Sequence, residues 1–374
     1  MKIAYITSRQ IRFVDGVVKK IKTQIDCWAH RGHKVHVYCT LPRSVESHAS
    51  NSILPDNIYT YKQPTFLPYI NTWMPRGKLV TDLENFRPDI VYMRFEPFRL
   101  YHSSIAKRFR IIMELNTDDL TEMQLLAKHS YRTKLNYCHH RLTRNVLFSN
   151  ISGLVSVTHE IINNHPVKKF HKPSVVIPNG IELSDFPILA RNKTNVLPAL
   201  VFMGINNYEW HGVDKVIRLA KLAKGDLVIH VVGLDRPNLE IPDNIIFHGF
   251  LLRSKYEKVL HESDVAIGTL ALHRKNMNEA CPLKVREYLA YGLPVIIGYN
   301  DTAFIGRDRP PWLLQIPNEE NNIENNLNLI IKFARKMRGR TVPRNEVEKY
   351  INATSLEDKR LNFFERIKNT YPTL

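Results

Sequence analysis

The stretch that decides the fold runs Asn278-Glu-Ala-Cys-Pro-Leu-Lys-Val-Arg-Glu-Tyr-Leu-Ala-Tyr-Gly-Leu-Pro-Val-Ile296. Pro282 suits the first turn of a helix, and Gly292 marks its end. Glu279 is then expected in the loop ahead of this helix, which follows a β-branched run at 265–270. Open α/β sheets bind ligands at the carboxyl ends of their strands, and a helix N-terminus there favours an anion such as a phosphate.

Three side chains of this stretch can carry chemistry. The carboxylates of Glu279 and Glu287 can accept hydrogen bonds from hydroxyl groups, and Lys284 can donate to a phosphate. Together they could surround a sugar nucleotide. The alternative is that Lys284 and Glu287 form an i,i+3 ion pair on a solvated helix face, worth about 0.2–0.5 kcal/mol. The spacing alone leaves both interpretations open.

Outward from this stretch, short β-branched runs alternate with amphipathic stretches, which predicts parallel sheets with helices on both faces, the α/β class. The predicted strands form a first series at 2–7, 34–39, 89–94, 110–115, 153–157 and 174–178, and a second at 199–204, 227–233, 244–249, 265–270 and 294–299. Two Rossmann-like sheets therefore follow one another along the chain. The Pro/Gly turn at 177–181 predicts a domain boundary near residue 182.

Length and composition agree with two folded domains. The chain has 374 residues, of which 44% are apolar and 24% charged, values typical of soluble globular proteins. Its longest apolar stretch, 288–299, is too short to span a membrane, and the N-terminus lacks the apolar region of a secretory signal. The four cysteines form no C-x-x-C pair, which argues against a disulfide framework. We therefore expect a cytoplasmic protein.

Positive charge is concentrated in the first half of the chain. The net charge is +17, and residues 1–180 contribute +13 of it. This asymmetry predicts an anionic partner for the first half: a membrane surface, a phosphorylated lipid or nucleic acid. Nucleic acid is the weakest of these interpretations, because no recognised binding module accompanies the charge.

The motifs, taken together, resemble those of the retaining glycosyltransferases of family 4. Glu279 and Glu287 reproduce the Glu-x7-Glu motif of that family and precede its Glu-Tyr-Leu-Ala-x-Gly-x-Pro-Val-Ile ending. The segment Gly32-His-Lys-Val-His-Val37 is similar to the family's Gly-His-x-Val strand entry, and Val176-Ile-Pro-Asn-Gly-Ile-Glu182 to its interdomain segment. Phe202-Met-Gly-Ile-Asn-Asn-Tyr-Glu-Trp-His-Gly-Val-Asp214 resembles its donor-phosphate loop, in a Trp-His-Gly version shared by bacterial envelope-polysaccharide members.

The resemblance implies the GT-B fold, two Rossmann-like domains facing each other across a cleft. Residues 1–182 would bind the acceptor and residues 183–355 the nucleotide-sugar donor, with a last helix within 356–374 packing back on the first domain. A UDP- or GDP-linked sugar would be the co-substrate, and no cofactor or metal would be required.

Residue roles follow from the same resemblance. Glu279 would contact donor-sugar hydroxyls and Glu287 the ribose, while the backbone amides around Pro282 to Lys284, with Leu283 between them, would face the diphosphate. Gly16 and Gly204 would allow backbone to approach the phosphates.

Two departures from the family pattern bear on the site. Asn206 and His211 stand where the family usually offers an Arg and a Lys to the diphosphate, so Lys284 is expected to replace them, with His211 donating as imidazole or imidazolium. Asn116 stands near the place of a usual histidine in the first domain, with Glu114 and Asp118 nearby.

Other patterns carry less information. The sixteen histidines show no metal-ligand spacing, and His139 and His140 are adjacent, so they point in different directions on a helix. The segments 66–78 and 94–101 mix large apolar residues with arginine or lysine. They are predicted either as loops that enter a membrane interface or grip a lipid-linked acceptor, or as loops packed on the domain core.

The sequence therefore predicts a retaining, metal-independent glycosyltransferase acting on a saccharide or lipid-linked saccharide acceptor. Its expected setting is lipopolysaccharide, capsule or other envelope-polysaccharide synthesis, in the cytoplasm and peripheral on the inner face of the membrane. Two alternatives stay open: a nucleotide-sugar epimerase of the same architecture, and a non-catalytic binder of anionic polymer or membrane.

Overall fold

The computed structural model describes residues 1–11, 15–41, 57–62, 77–189, 196–206 and 208–370. The chain divides into two compact units, one formed by Met1–Ile177 with Ala353–Leu374 and the other by Pro178–Asn352.

The first unit contains a seven-stranded parallel sheet in the order β3-β2-β1-β4-β5-β6-β7. Its strands are β1 (Lys2–Thr7), β2 (Lys34–Leu41), β3 (Ile58–Lys62), β4 (Ile90–Arg94), β5 (Ile111–Leu115), β6 (Gly153–Ser156) and β7 (Ser174–Val176). Most of β1, β4 and β5 is buried, as expected for strands covered on both faces.

In the described residues of this unit, seven helices connect the strands: α1 (Gly16–His30), α2 (Gly77–Phe86), α3 (Leu100–Ala106), α4 (Asp119–Leu126), α5 (Tyr131–Ser149), α6 (His159–Asn163) and α7 (His165–Lys168). Helix α1 begins because the Asp15 carboxylate accepts a hydrogen bond from the Val18 amide at 2.7 Å. It buries Val18, Ile21 and Trp28 against the sheet.

The second unit contains a six-stranded parallel sheet in the order β10-β9-β8-β11-β13-β15 and a separate two-stranded pair, β12-β14. The strands are β8 (Ala199–Met203), β9 (Val228–Val232), β10 (Ile245–Phe247), β11 (Val265–Ile267), β12 (Glu279–Ala280), β13 (Val295–Ile297), β14 (Asn300–Asp301) and β15 (Leu313–Gln315). The strand order reverses between β8 and β11, so ligands are expected at the carboxyl ends of these two strands.

The α-helices of this unit are α8 (Val213–Leu222), α9 (Arg253–Glu262), α10 (Leu283–Ala290), α11 (Asn322–Met337) and α12 (Arg344–Ile351). A core that includes Phe202, Val216, Ile229 and Ile330 joins the sheet to α8 and α11. Gly292 ends α10 with a φ of 79°, a conformation that glycine adopts without strain.

The last helix, α13 (Ala353–Thr370), returns to the first unit. Its Phe364 ring meets Trp28 of α1 edge-on, with the ring centroids 5.3 Å apart. The indole nitrogen of Trp28 also donates to Glu357 at 2.8 Å. The C-terminal helix is thus part of the first unit's core.

Several sequence-based boundaries differ from the structure. The second unit begins at Pro178 rather than at 183 and ends at Asn352 rather than at 355. The reason is that Asn179 is held by Cys281 and Arg286 of the second unit. The strands β3, β12, β14 and β15 were not predicted from the sequence, and Glu279 lies in β12 rather than in a loop. Most of the predicted loop 66–78 lies outside the described residues.

Candidate functional site

The first feature of the candidate site is the N-terminal turn of α10. Pro282 is the N-cap residue, with an extended backbone, and no side chain caps the helix. The first N–H groups of a helix have no partner within it, and they carry the positive end of its dipole. The amides of Leu283 and Lys284 therefore lie at an uncapped helix N-terminus near the strand-order reversal of the second unit.

Lys284 connects this turn to the end of β8. Its ammonium donates to the carbonyl oxygen of Met203 at 3.1 Å and lies 4.2 Å from the ring centroid of Phe202. Desolvation by burial lowers the pKa of Lys284 to about 7. These contacts place the lysine beside Gly204, the first residue after β8.

Gly204 permits a close approach of two loops. A Cβ built on Gly204 would lie 2.7 Å from Leu234, and one built on Gly233 would lie 2.3 Å from the Gly204 carbonyl oxygen. Both glycines are therefore required by packing at the carboxyl edge of the sheet. Asn206, two residues further on, is exposed.

His211 occupies a short 3-10 turn, Glu209–His211, behind this loop. Its ring stacks on Tyr208, and its Nδ1 atom is buried without a hydrogen-bond partner among the described residues. Burial, with further contributions from the charges of Lys284 and Lys275, lowers the pKa of His211 to about 2. The lowered pKa favours the neutral imidazole, one of the two protonation forms that the sequence left open.

Lys275 is a further cation at this edge, and it was not predicted from the sequence. Its side chain is buried, and its ammonium lies 4.4 Å from the ring centroid of Trp210. No motif marks this lysine, which falls in a run of basic residues, 273–275. Its positive charge contributes, after burial and Lys284, to the lowered pKa of His211.

Glu287 lies one turn along α10 from Lys284, but the two side chains have different partners. The Tyr256 hydroxyl donates to the Glu287 carboxylate at 2.6 Å, whereas Lys284 contacts Met203 and Phe202. The solvated i,i+3 ion pair considered above is therefore not the arrangement found. Tyr256, on α9, instead holds the carboxylate in position.

Glu279 lies just ahead of α10, where β12 pairs with β14 and places Glu279 opposite Asn300. A buried network holds this connection in place. The Arg286 guanidinium donates to Asp301 and to the carbonyl oxygen of Asn179, and both charged side chains are fully buried. The segment before α10 is thus fixed by charge pairing beneath it.

The two first-unit candidates occupy separate elements. Gly16 is the first residue of α1 and is exposed. Asn116 follows β5, and its side-chain oxygen accepts a hydrogen bond from the Lys20 ammonium at 2.8 Å. Because Lys20 fixes the oxygen, the Asn116 amide nitrogen points away from Lys20 and can donate to a ligand.

Lys20 also pairs with the fully buried Glu114 carboxylate at 2.7 Å. Burial raises the pKa of Glu114, but Lys20, Arg360 and Arg94 together hold it well below its usual range. For Lys20, a cation, burial has the opposite effect and lowers the pKa to about 8. Glu114 is therefore a structural counter-ion, and Asp118 caps α4 through the amide of Thr121.

Three observations concern metal binding, the adjacent histidines and membrane crossing. Within the described ranges, no three His, Cys, Asp or Glu side chains cluster as metal ligands would. His140 pairs with Asp119 at 2.6 Å, and His139 contacts the Phe98 carbonyl oxygen. Among the helices of the described part of the chain, none is both long and apolar enough to cross a membrane.

Comparison with protein families gives two matches. Residues 14–185 match the model described as Glycosyltransferase Family 4, and residues 198–325 match the model described as Glycosyl transferases group 1. A comparison with functionally curated protein sequences gives no match.

Solved structures share the fold at low identity. Sucrose-phosphate synthase from Thermosynechococcus elongatus is 13% identical with a TM-score of 0.69, and the match covers 99% of this chain and 100% of that one. The apo lipopolysaccharide outer core galactosyltransferase WaaB is 11% identical with a TM-score of 0.65, covering 98% and 100%. Anabaena HepE in complex with UDP and glucose is 12% identical with a TM-score of 0.63, again covering 98% and 100%.

The two parallel-sheet units and the matched domains define a glycosyltransferase of the GT-B fold. Each of the two matched family models describes glycosyltransferases and covers one part of the chain, residues 14–185 and residues 198–325.

Proposed function

We propose that the chain transfers a sugar, with retention of anomeric configuration, from a UDP- or GDP-linked donor to a saccharide or lipid-linked saccharide. The observation that carries this proposal is the uncapped first turn of α10, with Lys284 reaching the end of β8 and Glu287 held by Tyr256. An anion-binding turn beside a positioned carboxylate suits the diphosphate and ribose of one nucleotide.

The diphosphate is the part of the donor that α10 would bind. The amides of Leu283 and Lys284 would donate to its oxygens, and the Lys284 ammonium would neutralise its charge. Neutral His211 would donate through one ring nitrogen, and Lys275 would add positive potential behind it. Gly204 and, in the first unit, Gly16 would let backbone amides approach the phosphates.

The two carboxylates would bind the parts of the donor on either side of the diphosphate. Glu287 would accept hydrogen bonds from the two ribose hydroxyls, and Glu279 would accept them from the donor sugar. Asn206 would lie near the phosphates without contributing charge. Asn116, oriented by Lys20, would donate its amide to the sugar or the acceptor.

In the proposed reaction, the bond between the sugar C1 and the diphosphate oxygen breaks, and the acceptor oxygen bonds to C1 on the same face. The proton of the acceptor hydroxyl passes to the leaving diphosphate, so no protein base takes part. Lys284 and the α10 amides stabilise the charge that develops on the leaving group, as positioned donors do in other transferases. Because Lys284, Lys275 and the α10 amides would offset the charge of the diphosphate, we propose that the reaction needs no metal ion.

The setting we propose is synthesis of lipopolysaccharide, capsule or another envelope polysaccharide on the cytoplasmic side of the membrane. Support comes from the Trp210-His211-Gly212 version of the donor loop and from the fold shared with WaaB. HepE and an α-glucosyltransferase of the same fold each bind UDP, which favours UDP as the nucleotide.

A thermal-shift screen of UDP-, GDP-, ADP- and CDP-sugars tests the donor, since a ligand that binds only the native state raises its stability. NMR of the product formed with a saccharide acceptor then gives the anomeric configuration. We expect one nucleotide class to stabilise the protein and the product to retain the donor's configuration. Inversion, or release of an epimerised free sugar, would contradict the proposed reaction.

A further inference from the structure

A cavity of about 380 Å³ lies at the carboxyl edge of the second unit's sheet. It borders the end of β15 at Gln315, whose register partner Ile297 ends β13. Ligands of open α/β sheets bind at this edge, and the volume falls within the ~300–1,000 Å³ range of small-molecule sites. Its polar lining, which defines the polar cavity below, consists of Asn278, Asn300, Arg309, Gln315 and Asn318.

A hydrogen-bonded chain with a fixed direction crosses the polar cavity. The Arg309 guanidinium donates to Gln315 Oε1 at 3.2 Å, and Gln315 Nε2 donates to Asn300 Oδ1 at 2.6 Å. A guanidinium can only donate, so Gln315 must turn its oxygen towards Arg309 and its nitrogen towards Asn300. The Asn300 amide nitrogen has no hydrogen-bond partner among the described residues. Both ends of the chain therefore offer N–H donors to a ligand.

The positive charge of Arg309 is not balanced by an acid. The side chain is exposed, and within the described ranges it makes no ion pair. Arg274 of the same unit differs, because it pairs with both Asp214 and Glu320 at 2.8 Å. Arg309 is thus a cation whose charge can pair with an anionic group of a ligand.

The other side of the polar cavity is a wall of carboxamides. Asn318 Nδ2 donates to the Met277 carbonyl oxygen at 2.8 Å and to Asn278 Oδ1 at 3.1 Å. Asn318 Oδ1 accepts from the His273 amide at 2.8 Å, so this side chain is held at both ends. Carboxamides both donate and accept, which suits hydroxyl groups. The lining therefore combines a cation with groups that recognise a polyol.

The polar cavity adjoins the proposed position of the donor sugar. Asn300 is the register partner of Glu279 in the parallel pair β12-β14. Register partners point to the same face of a sheet, so Asn300 and Glu279 share a face. A ligand that accepts from Asn300 is then next to the carboxylate proposed to contact the sugar.

We propose that the polar cavity binds an acidic sugar of the uronate class. Arg309 and Asn300 donate to the sugar carboxylate, and the carboxamides of Asn278 and Asn318 contact its hydroxyl groups. The inference deepens the proposed function and rests on it, because it names the class of saccharide. The uronate is either the donor sugar itself or a residue of the acceptor saccharide, and both present the same chemistry.

Two other ligands suit the polar cavity less well. A neutral sugar would satisfy the carboxamides but would leave the charge of Arg309 without a counter-ion. A phosphate carries a charge of about −1.5 to −2 at neutral pH, more than one guanidinium balances. A carboxylate carries a single negative charge and accepts from a guanidinium and an amide together.

Matched pairs of acidic and neutral sugars test the proposal with the full-length protein. Calorimetric titration compares UDP-glucuronate with UDP-glucose and UDP-galacturonate with UDP-galactose. NMR titration, with UDP present, compares the methyl glycosides of glucuronate, galacturonate and mannuronate with those of glucose, galactose and mannose. We expect the acidic member of at least one pair to bind about tenfold more tightly. A preference among the UDP-sugars identifies the donor as the source, and one among the methyl glycosides identifies the acceptor.

Two variants remove the charge of Arg309 in different ways. Arg309→Gln deletes it, and Gln315→Glu places a carboxylate where it pairs with Arg309. Each should abolish the roughly tenfold preference for the acidic sugar. Unchanged thermal unfolding of both variants would show that the fold is intact.

The matched control is Arg340→Gln. Arg340 is exposed and follows Gly339, whose amide donates to Asp264 at 2.8 Å. Asp264 directly precedes β11 and accepts from the Ala199 amide at the start of β8, so Arg340 lies at the amino edge of the sheet. This variant should keep the full preference for the acidic sugar.

Three results would overturn the proposal. One is that no acidic sugar binds more tightly than its neutral partner. A second is that Arg309→Gln and Arg340→Gln change the preference equally. The third is that inorganic phosphate binds more tightly than every uronate and is lost in Arg309→Gln, which would assign the cavity to a phosphate. Wild-type binding of UDP alongside any of these would leave the proposed transfer reaction standing, whereas failure to bind UDP or GDP would count against that reaction itself.

Discussion

The ammonium of Lys284 on α10 donates to the carbonyl oxygen of Met203 on β8 at 3.1 Å. This contact joins the helix N-terminus to the strand end where the sheet order reverses. It places a cation at the proposed diphosphate position, although Asn206 and His211 stand where the family usually has an Arg and a Lys. The proposed donor site thus depends strongly on this one lysine.

Replacing Lys284 should weaken binding of the diphosphate and not of the nucleoside. We expect Lys284→Met to cost about 2 kcal/mol in nucleoside diphosphate affinity, because a charge-assisted contact is lost. Calorimetric titration with a nucleoside and its diphosphate gives the comparison, with Lys332→Met on α11 as the control. Equal diphosphate affinity in wild type and Lys284→Met would move the role to His211, Lys275 or the backbone amides.

Diphosphate affinity should also depend on pH. Burial lowers the pKa of Lys284 to about 7, so the free protein loses this proton as the pH rises through 7. A bound diphosphate favours the ammonium and raises that pKa again, so binding above pH 7 requires proton uptake. Affinity should therefore fall between pH 7.5 and 9, by up to about tenfold per pH unit.

The Lys284→Arg variant is the control for this pH dependence, because a guanidinium stays protonated throughout the range. Its diphosphate affinity should be flat with pH, and so should nucleoside affinity in wild type. A wild-type diphosphate affinity that does not change over this range would show that Lys284 does not titrate at the site.

Glu287 is expected to hold the ribose. Glu287→Ala should weaken nucleotide binding by about 1.5–3 kcal/mol, the range for hydrogen bonds to a charged group. Tyr256→Phe removes only the hydroxyl that orients the carboxylate at 2.6 Å, so its effect should be smaller. Calorimetry on folded variants measures both, and a larger loss in Tyr256→Phe than in Glu287→Ala would contradict the assignment.

Glu279 and Asn116 should affect turnover more than nucleotide affinity, because their proposed partners are the donor sugar and the acceptor. We expect Glu279→Ala and Asn116→Ala to lower kcat with nearly unchanged affinity for the nucleoside diphosphate. Steady-state kinetics with the donor identified by thermal shift gives these values. Unchanged kcat in both variants would exclude them from the reacting centre.

The Arg286–Asp301 pair should be structural. Both side chains are fully buried, so Arg286→Met leaves an uncompensated carboxylate and should destabilise the protein by about 3–5 kcal/mol. The exposed Arg335–Asp226 pair is the matched control, and Arg335→Met should cost less than about 1 kcal/mol. Urea unfolding compares the two, and similar losses would mean that burial does not govern the strength of the Arg286 pair.

Parts of this architecture could be predicted because they are encoded locally. The strands β1, β8 and β13 are short, mostly apolar runs between turn signals, and α10 is bounded by Pro282 and Gly292. Other parts depend on contacts far apart in the chain. The strand β3 is rich in tyrosine and polar residues, and β15 has three residues, so neither has a distinctive hydrophobic pattern.

Several properties of the candidate site could likewise not be predicted from the local sequence. The motif predicts the positions of Glu279 and Glu287, but it contains no sign that Tyr256 positions Glu287. Lys275 is buried with its ammonium over the ring of Trp210, and the pKa of His211 is lowered by burial and by the charges of two lysines. Burial and long-range pairing decide these properties, and neither is visible in local spacing.

The most direct test of the donor site is calorimetric titration of UDP and GDP into the wild-type protein and into the double variant Lys284→Met, Glu287→Ala. We expect wild type to bind one of the two nucleotides. We also expect the double variant, with unchanged thermal unfolding, to lose at least a hundredfold in affinity, about 2.7 kcal/mol. Failure of wild type to bind either nucleotide, or equal binding by the folded double variant, would contradict the proposed donor site.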